Sequence, residues 1–275
     1  MANPPLHHGC KCNHNHHVHS DIGKNNQEHF DNVAATIFDT PWIRDLTNQI
    51  SNELREQASW IGFRTSTSED AGERGTKMLD YACGNGVVSR ALAPYVSIIR
   101  GIDISAGMAQ QYNLQAEKNG YSTEAMRAVH GDLVNAMTNP AVDLTSPEFT
   151  NFDLVVMSMA LHHVDDPGLM IKTLSEKLGP GGVLLIIDWV SESESGCAPI
   201  RAPADSLIKH AVSRMGFEEK ELEAWFADAG LGEFGWRWFS SRSQMPEEQG
   251  GPKQLFLARA VKKDGQVQRH LPQNI

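Results

Sequence analysis

The sequence predicts an α/β fold: a seven-stranded, mostly parallel sheet with helices on both faces and a C-terminal antiparallel hairpin. Three observations predict it. Short apolar runs alternate with helix-period segments from residue 76 to about 190, as parallel strands with crossover helices require. Acidic residues close the first strands, at Asp80, Asp103 and Asp132. Two further apolar runs, Gly232–Phe239 and Gln254–Val261, are separated by a turn-rich segment and read as the hairpin.

Length and composition set the outer bounds. A chain of 275 residues with 40% hydrophobic and 21% charged residues affords one large core with appendages. The formal net charge of -10 repels phosphate backbones and disfavours a nucleic-acid substrate. The longest unbroken apolar run, Val183–Ile187, falls far short of the roughly 20 residues of a membrane helix, so no membrane span is expected. Four cysteines, two of them two positions apart, make no disulfide framework, and a cytoplasmic setting is the default.

Residues 1–26 read as a disordered tail crowded with His7, His8, Cys10, Cys12, His14, His16, His17 and His19. Imidazole and thiolate suit a divalent metal, but the spacing matches no finger pattern, so adventitious metal binding is the expectation. Residues 27–262 form the folded domain and 263–275 a polar C-terminal tail. In the leading segment, Phe30, Val33, Ala34, Ile37 and Phe38 have helix spacing. Thr40 and Pro41 then open a second helix, whose Trp42, Leu46, Ile50 and Leu54 make one stripe. Such helices either lie across a cleft as a lid or pad the sheet. Thr65–Gly75 reads as a surface loop.

The alternating region follows. Met78–Tyr81 is the first strand and Val87–Ala93 a helix; Ser97–Ile102 is the second strand, finishing at Asp103. Ser105 caps a helix that stops at Gly120. Ala125–Val129 is the third strand and Phe152–Met157 the fourth. Asp166 and Pro167 open a helix through Leu178, and Gly179-Pro-Gly-Gly182 turns into the fifth strand, Val183–Trp189. Further helices are expected near Leu207–Met215 and over Phe217–Ala229, before the hairpin.

In such a sheet, ligands bind beyond the carboxyl ends of the strands. There lie Asp80 through Gly86, Asp103, Asp132, and Met157 through His163. The turn Gly84-Asn-Gly86 leaves room for a cofactor, and the helix start after it offers unpaired N–H groups. A dinucleotide would want a third glycine, where Ser89 stands. The acidic Asp80 beside the turn suits a cationic ligand better than a pyrophosphate.

Asp80-Tyr-Ala-Cys-Gly-Asn-Gly86 resembles the first motif of class I S-adenosylmethionine-dependent methyltransferases. Gly101-Ile-Asp-Ile-Ser105 with Met108, and Gly131-Asp-Leu133, resemble the second and third motifs. Phe152–Pro167 and Leu178–Leu185 are similar to the fourth-strand motif and the Pro-Gly-Gly turn of the small-molecule branch, the type 11 or UbiE-like enzymes; Gly216–Gly230 resembles its late helix. Ala82 stands where the family has its first glycine, and Gly179 replaces a lysine. The resemblance implies a Rossmann-like fold, S-adenosyl-L-methionine as cofactor and a small-molecule methyl acceptor. It implies cofactor contacts from Asp80, Ala82, Cys83, Gly84, Gly86, Asp103, Ile104, Met108, Asp132, Leu133 and Met157. Asp103 would take the ribose hydroxyls, Asp132 the adenine amino group, and Ile104 and Met108 the ring. His162, His163 and His210 are candidates for a base that removes the acceptor's proton, with His162 and His210 the ones singled out. Two other readings stay open: an NAD(P)-dependent oxidoreductase on the same architecture, and a non-catalytic metal-binding protein acting through the His/Cys-rich tail.

Overall fold

The computed structural model describes residues 22–65, 75–134, 142–196 and 213–263. Seven strands form one sheet in the order β3-β2-β1-β4-β5-β7-β6. They are β1 (Lys77–Tyr81), β2 (Ile98–Asp103), β3 (Met126–His130), β4 (Phe152–Ser158), β5 (Leu178–Trp189), β6 (Leu231–Trp238) and β7 (Leu255–Lys262). The first five are parallel, and β7 runs antiparallel between β5 and β6. The strand order reverses between β1 and β4, which opens a crevice at their carboxyl ends.

All strands but β6 feed both layers because successive side chains point to opposite faces. Met78, Ile99, Val156 and Leu185 join the core under α2 (Pro41–Glu56), α4 (Val87–Leu92) and α5 (Ala106–Lys118). Leu79, Val155, Leu184 and Phe256 join the core under α6 (Pro167–Lys177) and α8 (Glu219–Asp228). Strands buried on both faces explain why the apolar runs are continuous and not alternating. Helix starts follow the capping chemistry: the Ser105 hydroxyl accepts from the Met108 N–H at 3.0 Å, and the Asp166 carboxylate from the Leu169 N–H at 2.9 Å.

Several boundaries differ from expectation. The leading helix α1 spans Ile22–Val33, starting inside the stretch assigned to the tail; a single 3₁₀ turn, Ile37–Asp39, replaces its expected second half. A separate short helix, α3 (Ala58–Ile61), follows α2 in the leading helical segment, and a short helix α7 (Glu192–Ser195) forms after the fifth strand, where none is expected. Strand β5 begins at Leu178, with a register shift against β4 and with Pro180 and Gly181 exposed, so the Gly-Pro-Gly-Gly segment is a bulge within the strand. In the hairpin, β7 lies between β5 and β6, which makes β6 the edge strand. The surface loop (bar its first and last residues), residues 207–212 of the expected helix before α8, His210, and the His/Cys-rich residues 7–19 lie outside the described residues. Residues 213–215 are not helical. No described helix is long and apolar enough to cross a membrane.

Candidate active site

The turn after β1 brings the central groups together. Ala82 and Gly86 both take left-handed backbone, with φ of 57° and 81°. Ala82 therefore occupies a glycine conformation with a side chain, at a cost of about 1 kcal/mol. At Gly86 a Cβ would stand 2.8 Å from the Tyr112 ring, so only glycine fits between the turn and α5. Cys83 is buried, and burial pushes its thiol well up. In the same turn Asn85 Oδ1 is buried with no hydrogen-bond partner among the described residues, an acceptor open to a donor.

Asp103 crosses from β2 to this turn. Its carboxylate accepts from the Gly84 N–H at 2.8 Å and the Ser105 N–H at 2.9 Å. Burial pushes its carboxyl up to about 6, with the nearby Asp31 charge adding to the rise. Asp80 turns inward: it accepts from the Ser89 N–H at 3.2 Å and the Ser89 hydroxyl at 2.7 Å, and the Tyr112 hydroxyl donates to Ser89 at 2.8 Å. Burial pushes the Asp80 carboxyl up to about 7. Its contacts tie the turn to α4 and α5. Asp132 accepts from the Tyr81 hydroxyl at 3.3 Å and the Val134 N–H at 2.8 Å, while the Leu133 N–H donates to Tyr81 Oη at 3.4 Å. Met108 is buried and Ile104 half-buried at the start of α5. Met157 is buried in the α6/α8 core.

One face of α1 lies over these strand ends. Asp31 accepts from the Ser105 hydroxyl at 2.6 Å and the Gly107 N–H at 2.9 Å, a second cap on α5. The Asn26 side chain donates to the His163 carbonyl at 3.1 Å, and Phe30 meets the His163 ring edge-on. Gln27 reaches His130 at the end of β3, at 3.5 Å. Beyond α1, the Phe38 ring abuts Gly84 closely enough that a Cβ there would stand 3.2 Å from it. The leading segment is thus a roof on the crevice. Asn26 is buried and its Oδ1 lacks a partner among the described residues, a second orphaned acceptor.

On the far side of the crevice, His162 is buried in the turn after β4. Its Nδ1 lies 2.8 Å from Asp188 Oδ1, and its backbone N–H donates to Asp188 Oδ2 at 3.2 Å. Asp188, Asp31 and Asn26 are the residues that sequence reading missed. Nothing in their own neighbourhoods marked them, since each is defined by a partner distant in sequence.

A family model of a methyltransferase domain matches residues 45–232. The chain belongs to the methyltransferase domain family. This methyltransferase is 30% identical over 234 residues to an uncharacterized methyltransferase of Schizosaccharomyces pombe, covering 77% of this chain and 80% of the relative. It is 32% identical over 186 residues to a ubiquinone biosynthesis O-methyltransferase of Pseudomonas syringae pv. tomato, covering 66% and 71%. At 16% identity the structure of magnesium protoporphyrin IX methyltransferase from Synechocystis PCC 6803, with bound S-adenosylmethionine, shares the fold; its TM-score is 0.57, over 90% of this chain and 99% of that one. The cyclase SpnF shares it too, with a TM-score of 0.59 at 16% identity, over 90% and 98%. The assignment is to a class I, S-adenosylmethionine-dependent methyltransferase, and it displaces the oxidoreductase reading.

Proposed function

We propose that this methyltransferase acts on a small molecule and holds its cofactor along the carboxyl ends of β1 to β4. The observation that carries this is Asp103, a buried carboxylate bonded to the Gly84 turn beside the orphaned Asn85 oxygen. The donor set fits the cofactor: S-adenosylmethionine brings an ammonium, two ribose hydroxyls and an adenine amino group, and these strand ends offer acceptors. Asp103 would take the ribose, with Ile104 and Met108 at the ring and Asp132 with Leu133 at its amino group. Ala82, Cys83, Gly84 and Gly86 would line the methionine portion, with Asn85 Oδ1 taking the ammonium. Asp80 acts through Ser89, by holding this turn in shape. Met157 contributes from the core below.

When bound, the sulfonium supplies an already activated methyl group, so the protein's work is alignment, exclusion of water and handling of the acceptor's proton. The α1 roof excludes water, and His162 takes the proton; His210 is a second proton acceptor to test by substitution. The charge of -10 favours a small neutral or cationic metabolite over nucleic acid, in a cytoplasmic setting. Among the described residues no cluster of three or more His, Cys, Asp or Glu side chains forms a metal site. Metal on the His/Cys-rich tail is adventitious in this reading, and a chain lacking residues 1–21 keeps its cofactor affinity and turnover.

The test is transfer of labelled methyl from S-adenosylmethionine to a metabolite panel, with protein and RNA as controls, alongside calorimetry of wild type and Asp103→Ala. Label in a small molecule and at least tenfold weaker cofactor binding by the variant are expected. Label in protein or RNA alone overturns the small-molecule reading.

A further inference from the structure

Asp188, next to last in β5, has no exposed surface. Its carboxylate accepts from the Trp189 N–H at 2.8 Å, from the His162 N–H at 3.2 Å and from the His162 ring at Nδ1, 2.8 Å away. The two main-chain bonds go to different oxygens, Oδ2 for His162 and Oδ1 for Trp189, so both carboxylate oxygens are engaged. The third takes a ring proton, and it decides the state of the imidazole: with hydrogen on Nδ1, the neutral ring carries its lone pair on Nε2. Nε2 makes no hydrogen bond among the described residues.

The turn that carries His162 is held from two sides. The Ser213 N–H and hydroxyl donate to the His162 carbonyl at 2.8 and 2.9 Å, and the same hydroxyl reaches the Val164 carbonyl at 2.6 Å. From the roof, Asn26 donates to the His163 carbonyl at 3.1 Å. The imidazole is therefore fixed in place by the backbone and in tautomer by Asp188. A ring that merely filled space would need neither.

We propose that Asp188 is a positioning residue that presents His162 Nε2 as the proton acceptor, so that the group methylated is a hydroxyl or a thiol. The inference rests on the methyltransferase reading of the same site. The acceptor's O–H or S–H bond breaks and its proton passes to Nε2. The electron pair so freed forms the new bond to the methyl carbon as the carbon–sulfur bond of the sulfonium breaks, its pair remaining on sulfur. The imidazolium faces the Asp188 carboxylate until water takes the proton. A tertiary-amine acceptor brings no such proton and would leave the pair without a task.

Long-range ¹⁵N NMR of the full-length, uniformly labelled protein reads the tautomer directly, with His162→Gln assigning the resonances. The wild type is expected to show the Nδ1–H form at pH 7.5, and Asp188→Asn a shift toward Nε2–H. Titration with S-adenosylhomocysteine is expected to give a Kd within twofold of wild type for both variants. Their kcat toward the acceptor found by labelled transfer falls at least 100-fold, with KM within threefold. An Nε2–H ring in the wild type, an unchanged kcat in Asp188→Asn, or a methylated carbon or tertiary nitrogen in the product each overturns the proposal. The wild-type spectrum decides even if Asp188→Asn fails to fold. Loss of S-adenosylhomocysteine binding by the wild type would instead undo the cofactor reading on which it rests.

Discussion

Cofactor affinity should depend on pH through Asp103, in a window set by its burial. The carboxyl is pushed up to about 6 from an ordinary 3.8, so the free protein pays about 3 kcal/mol to hold it charged at neutral pH. The sign follows from a raised folded-state pKa. The group's contribution to stability is fully present below about 3.8 and is lost as pH rises through about 6. In the proposed binding mode ribose hydroxyls would donate to the charged form, so binding should run the opposite way and tighten over the same interval. With a midpoint near 6, about one site in eleven is ionised at pH 5, and Kd should weaken roughly tenfold from pH 7 to pH 5. Asp103→Asn keeps one oxygen for Gly84 or Ser105 but loses the charge. Replacing a hydrogen bond to a charged group costs about 1.5–3 kcal/mol, roughly 10- to 150-fold in Kd. The assay is isothermal calorimetry with S-adenosylhomocysteine from pH 5 to 7.5. Asp80→Asn serves as control, because the Asp80 carboxyl is pushed up to about 7 and titrates nearby. A flat profile in the wild type, or wild-type affinity in Asp103→Asn, would refute this reasoning.

Other outcomes follow from the same contacts. Asp31→Ala removes the second cap on α5, costing about 1 kcal/mol in urea unfolding, and withdraws a charge that raises the Asp103 carboxyl. The midpoint of the binding profile should then move to lower pH, and an unmoved midpoint would break the link between roof and site. Gly86→Ala forces a side chain into left-handed backbone against Tyr112 and should destabilise by about 2–4 kcal/mol; a loss below 1 kcal/mol in urea unfolding would contradict it. Cys83 should resist iodoacetamide at pH 8 in the folded protein and react in urea, as read by peptide mapping.

The strands and most helices were legible because burial on both sheet faces leaves continuous apolar runs, and because Ser105 and Asp166 are local caps. The left-handed turn was legible at Gly84 and Gly86, whose residue type advertises the conformation; at Ala82 it was not, since alanine carries no such signal. The direction of a carboxylate is not local. Asp80 is adjacent to the glycine turn in sequence, yet its oxygen bonds Ser89, nine residues on. Asn26 and Asp31 lie in a polar helix whose pattern merges with the histidine-rich tail, and their partners are 137 and 74 residues away. Asp188 reads as the end of an apolar strand until His162 is brought beside it. The hairpin was visible as two strands and a turn, but the insertion of β7 between β5 and β6 depends on packing against β5 that no short stretch encodes.

The most direct measurement of the central claim is calorimetric titration of the full-length chain with S-adenosylmethionine, S-adenosylhomocysteine and NAD(P) in parallel. One site per chain for the first two, abolished or weakened at least tenfold by Asp103→Ala, and no heat from NAD(P), is the predicted result. Binding of NAD(P) in their place, or S-adenosylmethionine affinity untouched by the loss of Asp103, would contradict it.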